Sequence, residues 1–222
     1  MESDNRPSDP ENPPALTPIS PIEARILGCL IEKEATTPEA YPLTANAVVL
    51  ACNQKNNREP VMDLEPGEVG HALREMGSKG LIGFVHGARA QRHEHRFAQA
   101  YSVTARQQAL LSVMLLRGPQ TVAELHARCE RLAAPADQDE VRQTLERLMQ
   151  RTPALVIKLG RASGQREDRY MHLLCGPVSA ADHVAVDEPA TGSKRAGLEA
   201  RIDALEAAVQ SLRNELDELR HR

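Results

Sequence analysis

Residues 15–100 and residues 101–176 present the same folding signals in the same order, and an internal repeat constrains architecture more than any single motif. In the first stretch, Ser20-Pro21-Ile22-Glu23 supplies a capping Ser, a Pro at the first helical position and a Glu at the third. Ile22, Ile26, Leu27, Leu30 and Ile31 follow at helical spacing. Thr44 caps a second helix with Ala47, Val48, Ala51 and Cys52 inward. A third helix over residues 65–78 turns Val69, Leu73 and Met76 inward and stops at Gly80. Residues 81–85 and 94–97 read as the strands of a hairpin with a long loop.

The second stretch runs in parallel. Thr104 with Gln107, Thr121 with Glu124 and Asp137 with Glu140 open three helices, and residues 154–159 and 168–174 form a returning hairpin. Cys52 and Cys129 occupy matching places after Thr44 and Thr121. Glu94-His95-Arg96-Phe97 matches Glu167-Asp168-Arg169-Tyr170. Three helices and a hairpin, twice over, predict a mainly α fold with small β-hairpins (α+β): two tandem winged-helix domains.

Residues 1–14 are rich in Pro, Asp, Glu and Ser with little to bury, which predicts a disordered tail. Residues 177–195 read as a linker, and residues 196–222 as a coiled-coil helix. Its seam is Leu198, Ile202, Leu205, Val209, Leu212, Leu216 and Leu219, spaced alternately four and three apart. Ile202, Val209 and Leu216 at a with Leu at d predict a parallel homodimer. The alternative is a helix folded back on its own chain.

Aromatic residues make up 2% of the chain and Trp is absent, so the cores must be aliphatic. Residues 109–116 form the longest mostly apolar run, far short of the ~20 residues that span a bilayer. No secretory pattern opens the chain, and the expectation is a cytoplasmic protein with no membrane partner. Cys29, Cys52, Cys129 and Cys175 have no CxxC spacing and are expected to be buried thiols.

A resemblance joins these readings at residues 21–60 and 159–174. The string PIEARILGCLIEKEATTPEAYPLTANAVVLACNQKNNREPV, together with RGPQT and RYMHL, resembles the YceH-like proteins of bacteria. The resemblance implies a tandem winged-helix fold, often with a coiled-coil C-terminus, and brings no catalytic residues with it.

No glycine-rich phosphate loop, nucleophile elbow or paired acid set is recognisable, so the expectation is binding rather than catalysis, without a cofactor or metal. His93 and His95, with His86 across the hairpin, read as an exposed wing surface rather than metal ligands. Arg96 and Arg169 are placed to pair with helix carboxylates, and Phe97 and Tyr170 to cap the cores.

Winged helices commonly present helix three and the wing to DNA. The candidate contacts are Lys55 and Arg58 in the loop before helix three, Arg74 and Lys79 on it, and Arg89 and Arg92 in the first wing. In the second half they are Arg147 and Arg151 at helix three, beside Arg142, with Arg161 and Arg166 in the wing. The net charge is −4 overall, with residues 101–177 alone net positive at eleven basic against eight acidic. Both third helices also carry acids that repel phosphate: Glu65, Glu68 and Glu75, and Asp137, Asp139, Glu140 and Glu146. Double-stranded DNA is the leading expected partner, and a protein bound on the same surfaces is the alternative. The loop 51–60 stays open between recognition surface and turn structure.

Overall fold

The computed structural model describes residues 17–86, 90–135, 137–160 and 167–178. They lie in a unit that ends at Val178. The tail over residues 1–14 and the heptad seam from Leu198 to Leu219 lie outside the described residues, as do Arg89, Arg161 and Arg166.

The described part is mixed α+β. In chain order it contains α1 (Pro21–Thr36), β1 (Leu43–Thr44), α2 (Ala45–Cys52), α3 (Pro66–Ser78), β2 (Ile82–His86), β3 (Gln91–His95) and the short α4 (Phe97–Tyr101). The same order then recurs as α5 (Ala105–Arg117), α6 (Val122–Ala133), α7 (Gln138–Met149), β4 (Val156–Leu159) and β5 (Arg169–His172). The local signals act as read. Ser20, Thr104 and Thr121 form full capping boxes with Glu23, Gln107 and Glu124, and Thr44 and Asp137 accept the backbone N–H three residues on. Each satisfies a helix-start donor that would otherwise lack a partner.

The sheets repeat as well. β2 and β3 pair antiparallel with Phe84 opposite His93, and β1 joins the far side of β3 with Leu43 opposite His93. In the second half β4 pairs with β5, and the counterpart of β1 is reduced to one bridge between Gln120 and Tyr170. The first hairpin is shifted from its expected position. β3 begins at Gln91, shortening the loop, and Phe97 opens α4 instead of ending the strand. The ring is fully buried there, so the core takes Phe97 and the helix follows.

A single apolar cluster runs through both halves, from Ile19 to Leu174. The boundary read between residues 100 and 101 falls inside α4. Helix α1 is buried continuously from Glu23 to Ile31, and α5 from Ala109 to Leu116. A helix buried on every face has neighbours all round rather than one amphipathic stripe. One face of α1 meets its own half and the other meets α5. The crossing is close at Gly28, where an added Cβ would stand 2.8 Å from Leu116 Cγ and 3.2 Å from Leu115 Cβ. Ser112 Oγ donates to the Gly28 carbonyl at 3.3 Å across the same contact. At the ends of the unit, Ile19 N–H donates to Leu174 O at 2.9 Å.

Candidate functional site

The loop between α2 and α3 is the most unusual segment of the sequence, and several of its polar side chains bond back to the chain. Asn53 closes it: Nδ2 donates to Leu64 O and Oδ1 accepts from Leu64 N–H, both at 2.9 Å. Asn57 adopts φ 62°, a left-handed conformation that Asn tolerates, and its side-chain oxygen accepts from Arg117 Nη2 at the end of α5. Glu59 N–H donates to Leu116 O at 2.8 Å. The loop therefore clamps the first half to the second.

Arg58 is the centre of that clamp. It is 5% exposed and uses all five of its N–H donors within the chain. Nε donates to Ala51 O at 3.0 Å. Nη1 donates to Glu32 Oε1 at 3.1 Å and Asn57 O at 2.9 Å. Nη2 donates to Glu32 Oε2 at 2.6 Å and Gln54 Oε1 at 2.9 Å. A guanidinium with every donor satisfied in the interior has nothing left for phosphate, so Arg58 is a structural residue rather than a nucleic-acid contact.

The other predicted cations divide sharply. Lys79 Nζ is 2.7 Å from the buried Glu23 carboxylate, tying the end of α3 to the start of α1. Arg92 Nη1 donates to Pro42 O at 2.8 Å. Arg151 caps carbonyls at the end of α4, donating to Ser102 O and Tyr101 O, each at 2.8 Å. Arg142 pairs with Asp139 on its own helix. Lys55, Arg74 and Arg147 are exposed. They stand on three separate segments, the 53–64 loop, α3 and α7, and the acids of α3 and α7 stand beside the last two.

Two further expectations need correction. His93 is buried at 5% exposure, because β3 is flanked on both sides and the ring lies under Phe84 at 5.6 Å. Its Nδ1 bonds Leu43 O at 3.2 Å, and since a carbonyl only accepts, Nδ1 carries the proton. Cys175 is exposed, since it follows the last strand in the turn at Gly176. His95 Nε2 lies 2.8 Å from Glu34. Among the described residues no group of three His, Cys, Asp or Glu side chains is arranged to hold a metal ion. No helix among them is long and apolar enough to cross a membrane. Arg169 does pair with a helix carboxylate, Glu124 at 3.7 Å, and Tyr170 packs against the core.

Burial holds the His93 pKa below its ordinary 6.5, against the Leu43 hydrogen bond, which raises it. Below pH 6.5 the unfolded chain therefore binds a proton that the folded chain refuses, and stability falls as pH falls through that window. The Tm advantage of the native chain over His93→Gln should shrink between pH 7.5 and 5.5. An advantage that stays constant would show that the ring titrates as freely folded as unfolded.

Sequence reasoning missed Arg25, which is 1% exposed in the middle of α1. Its Nη1 donates to Cys52 O at 3.3 Å and its Nη2 to Pro60 O at 2.6 Å, bracketing the loop from beneath. The signal was present: Arg25, Cys29 and Glu32 stand at i, i+4 and i+7, a stripe through the otherwise apolar stretch 24–31 of the helix. Among the described residues Leu50, on α2, and Val61, in the loop, are the most exposed large apolar side chains, at 73% and 58%.

The family model described as "Protein of unknown function, DUF480" matches residues 19–165. A UPF0502 protein of Stenotrophomonas maltophilia (strain R551-3) is 50% identical over 216 residues, covering 96% of this chain and 99% of the relative. One from Mesorhizobium japonicum is 50% identical over 201 residues, covering 90% and 96%, and one from Xanthomonas campestris pv. campestris (strain B100) is 50% identical over 212 residues, covering 93% and 95%. Matches of this extent, consistent with the YceH-like resemblance, place the chain in the DUF480/UPF0502 family of bacterial proteins.

Proposed function

We propose that this chain is a tandem winged-helix protein that works by binding, and that what it binds is another protein. The recurrence of three helices and a hairpin supports the winged-helix reading. The observation that carries the choice of partner is the fate of the cations. Arg58, Lys79, Arg92 and Arg151 are spent inside the chain. Among the described residues the most exposed large apolar side chains, Leu50 and Val61, stand on either side of Lys55 in the chain. Arg25 holds the carbonyls of Cys52 and Pro60 together, which keeps those flanks at one end of α2. The partner that fits is a protein segment with an apolar anchor and a carboxylate to meet Lys55.

Nucleic-acid binding through Arg74 and Arg147 is the competing reading, and salt separates the two, because phosphate neutralisation makes affinity fall steeply with salt. We expect duplex DNA of mixed sequence to give no saturable anisotropy change with the full chain at low salt. A photo-crosslinker at Leu50 should yield a discrete protein adduct in cells that Lys55→Glu abolishes. Saturable, salt-sensitive DNA binding lost in Arg74→Ala/Arg147→Ala would reverse the assignment.

A further inference from the structure

We propose that the outer edge of β2 pairs with the same edge of a second copy of this chain, joining the two first-half sheets into one. The contact uses none of the residues assigned above to a protein partner.

β2 is an edge strand. β1 and β2 flank β3, and among the described residues no strand pairs with the far side of β2. Arg96 N–H donates to Leu81 O at 2.8 Å, and bonding alternates along an antiparallel pair. Gly83 and Val85 therefore turn their backbone groups to β3, while Phe84 and His86 turn theirs outward. Natural sheets guard such edges with charge, proline or a bulge. The second half does so. Leu43 and Gln120 each precede the Thr that caps the next helix. Leu43 pairs with His93, which faces Phe84, and Gln120 with Tyr170, which faces Lys158. Lys158 thus stands in the place of Phe84, and its ammonium lies 2.7 Å from Asp168. β2 has no charged residue, no Pro and no break in its register from Ile82 to His86. Phe84 is 42% exposed and Val85 37%, on opposite faces of the strand. The Phe84 ring is held at this edge by α3, where a Cβ added at Gly77 would stand 2.4 Å from its Cζ.

The occupant that fits is the same strand, antiparallel about a two-fold axis at Phe84. Phe84 N–H then donates to the Phe84 carbonyl of the second copy, and the reverse bond forms by symmetry. The two rings become neighbours on one face. On the other face Val85 comes opposite Gly83. Glu94 Oε1 and Arg96 Nε lie over Gly83, 2.7 and 2.8 Å from where its Cβ would be. An acid and a base thus overhang the edge together in each copy. The diagonal to Gly83 of the second copy is about 7–8 Å, within reach of long side chains, so Arg96 can meet the other copy's Glu94. An edge strand without charge offers a charged foreign strand little to select, whereas an identical one matches it along its length. Five residues a side make a small contact, so the pairing should depend on concentration.

In the full chain carrying Cys175→Ser, Phe84→Cys should form a covalent dimer under mild oxidation with copper phenanthroline. Facing Cα atoms in such a pair lie about 5.5 Å apart, inside the disulfide range. His86→Cys in the same background should not, because His86 faces Ile82 and its twin lies about 14 Å away. Phe84→Cys removes the ring, so hydrogen exchange of the native chain gives an independent reading. The His86 amide should slow about tenfold when the chain is concentrated, which corresponds to about nine-tenths of the chains paired. Phe84→Lys, which copies the second half, should abolish the slowing. Pairing through the heptad seam alone, or an edge kept for a strand of another protein, leaves that amide equally fast at every concentration. Such concentration-independent exchange overturns the proposal, as does equal covalent dimer from Phe84→Cys and His86→Cys.

Discussion

Arg58→Ala should lower the unfolding free energy of this chain by about 3–5 kcal/mol, the usual cost of stranding one partner of a buried ion pair. Against a typical total of about 5–15 kcal/mol that is a large fraction. The loss has several parts. Glu32 keeps its charge but loses both of its guanidinium hydrogen bonds, at 3.1 and 2.6 Å. The carbonyls of Ala51 and Asn57 and the Gln54 amide oxygen lose their donor. The Arg58 side chain has no exposure, so water does not reach the vacated site without opening the loop. Urea unfolding monitored by far-UV circular dichroism measures the difference directly. Lys55→Ala, three residues away and exposed, is the control and should stay within about 0.5 kcal/mol of the native chain. A surface recognition loop predicts the opposite pattern: both substitutions harmless to stability. Equal, small effects would therefore return Arg58 to the surface and reopen the nucleic-acid reading. Replacing Arg58 and Glu32 together with Met and Leu should recover much of the loss, because no charge is then left unpaired.

The contrast between Arg58 and Lys55 shows which parts of the molecule were legible from sequence. Helix starts at Ser20, Thr104, Thr121 and Asp137 were readable because each cap is a bond between residues three apart. The doubled order of elements was readable for the same reason, since it is a sum of local patterns. Arg58 was not readable, because its partner Glu32 is 26 positions away, and a cation in a run of Asn and Gln looks solvated. Lys79, Arg92 and Arg151 failed alike: each is fixed by a contact 49 or more residues distant. His93 looked like a wing residue because alternation along one strand does not tell that β1 covers its other edge. The junction of the halves was legible in part. A mostly apolar run at residues 109–116, interrupted by Ser112, signals a helix with no solvent face, and read only against bilayer thickness it excludes a membrane span without revealing a partner helix.

That partner helix provides the second large effect, a change of sign. Gly28 lies inside α1, where Ala would ordinarily be worth about 1 kcal/mol through helix propensity. Here the new methyl would stand 2.8 Å from Leu116 Cγ and Cδ2 and 3.2 Å from Leu115 Cβ, with the Ser112–Gly28 hydrogen bond holding the helices together. Overpacking of this kind costs about 1–3 kcal/mol, so Gly28→Ala should destabilise, and Gly28→Leu should do so more strongly. Leu116→Ala alone should cost about 2–5 kcal/mol, since Leu116 is buried and leaves a cavity. Adding Gly28→Ala to Leu116→Ala should then stabilise, because the methyl now enters the space that Leu116 vacated and the propensity gain survives. The double-mutant cycle should give a coupling of about 0.5–3 kcal/mol, against additivity within about 0.3–0.5 kcal/mol for independent sites. The repeat alone predicts independence, since Gly28 and Leu116 belong to different copies of the motif. Coupling between them is a property of the shared core, in which the first helix of each copy serves as the far wall of the other. An additive cycle would mean that α1 and α5 do not touch, and the two copies would then have to be treated as separate domains on a tether.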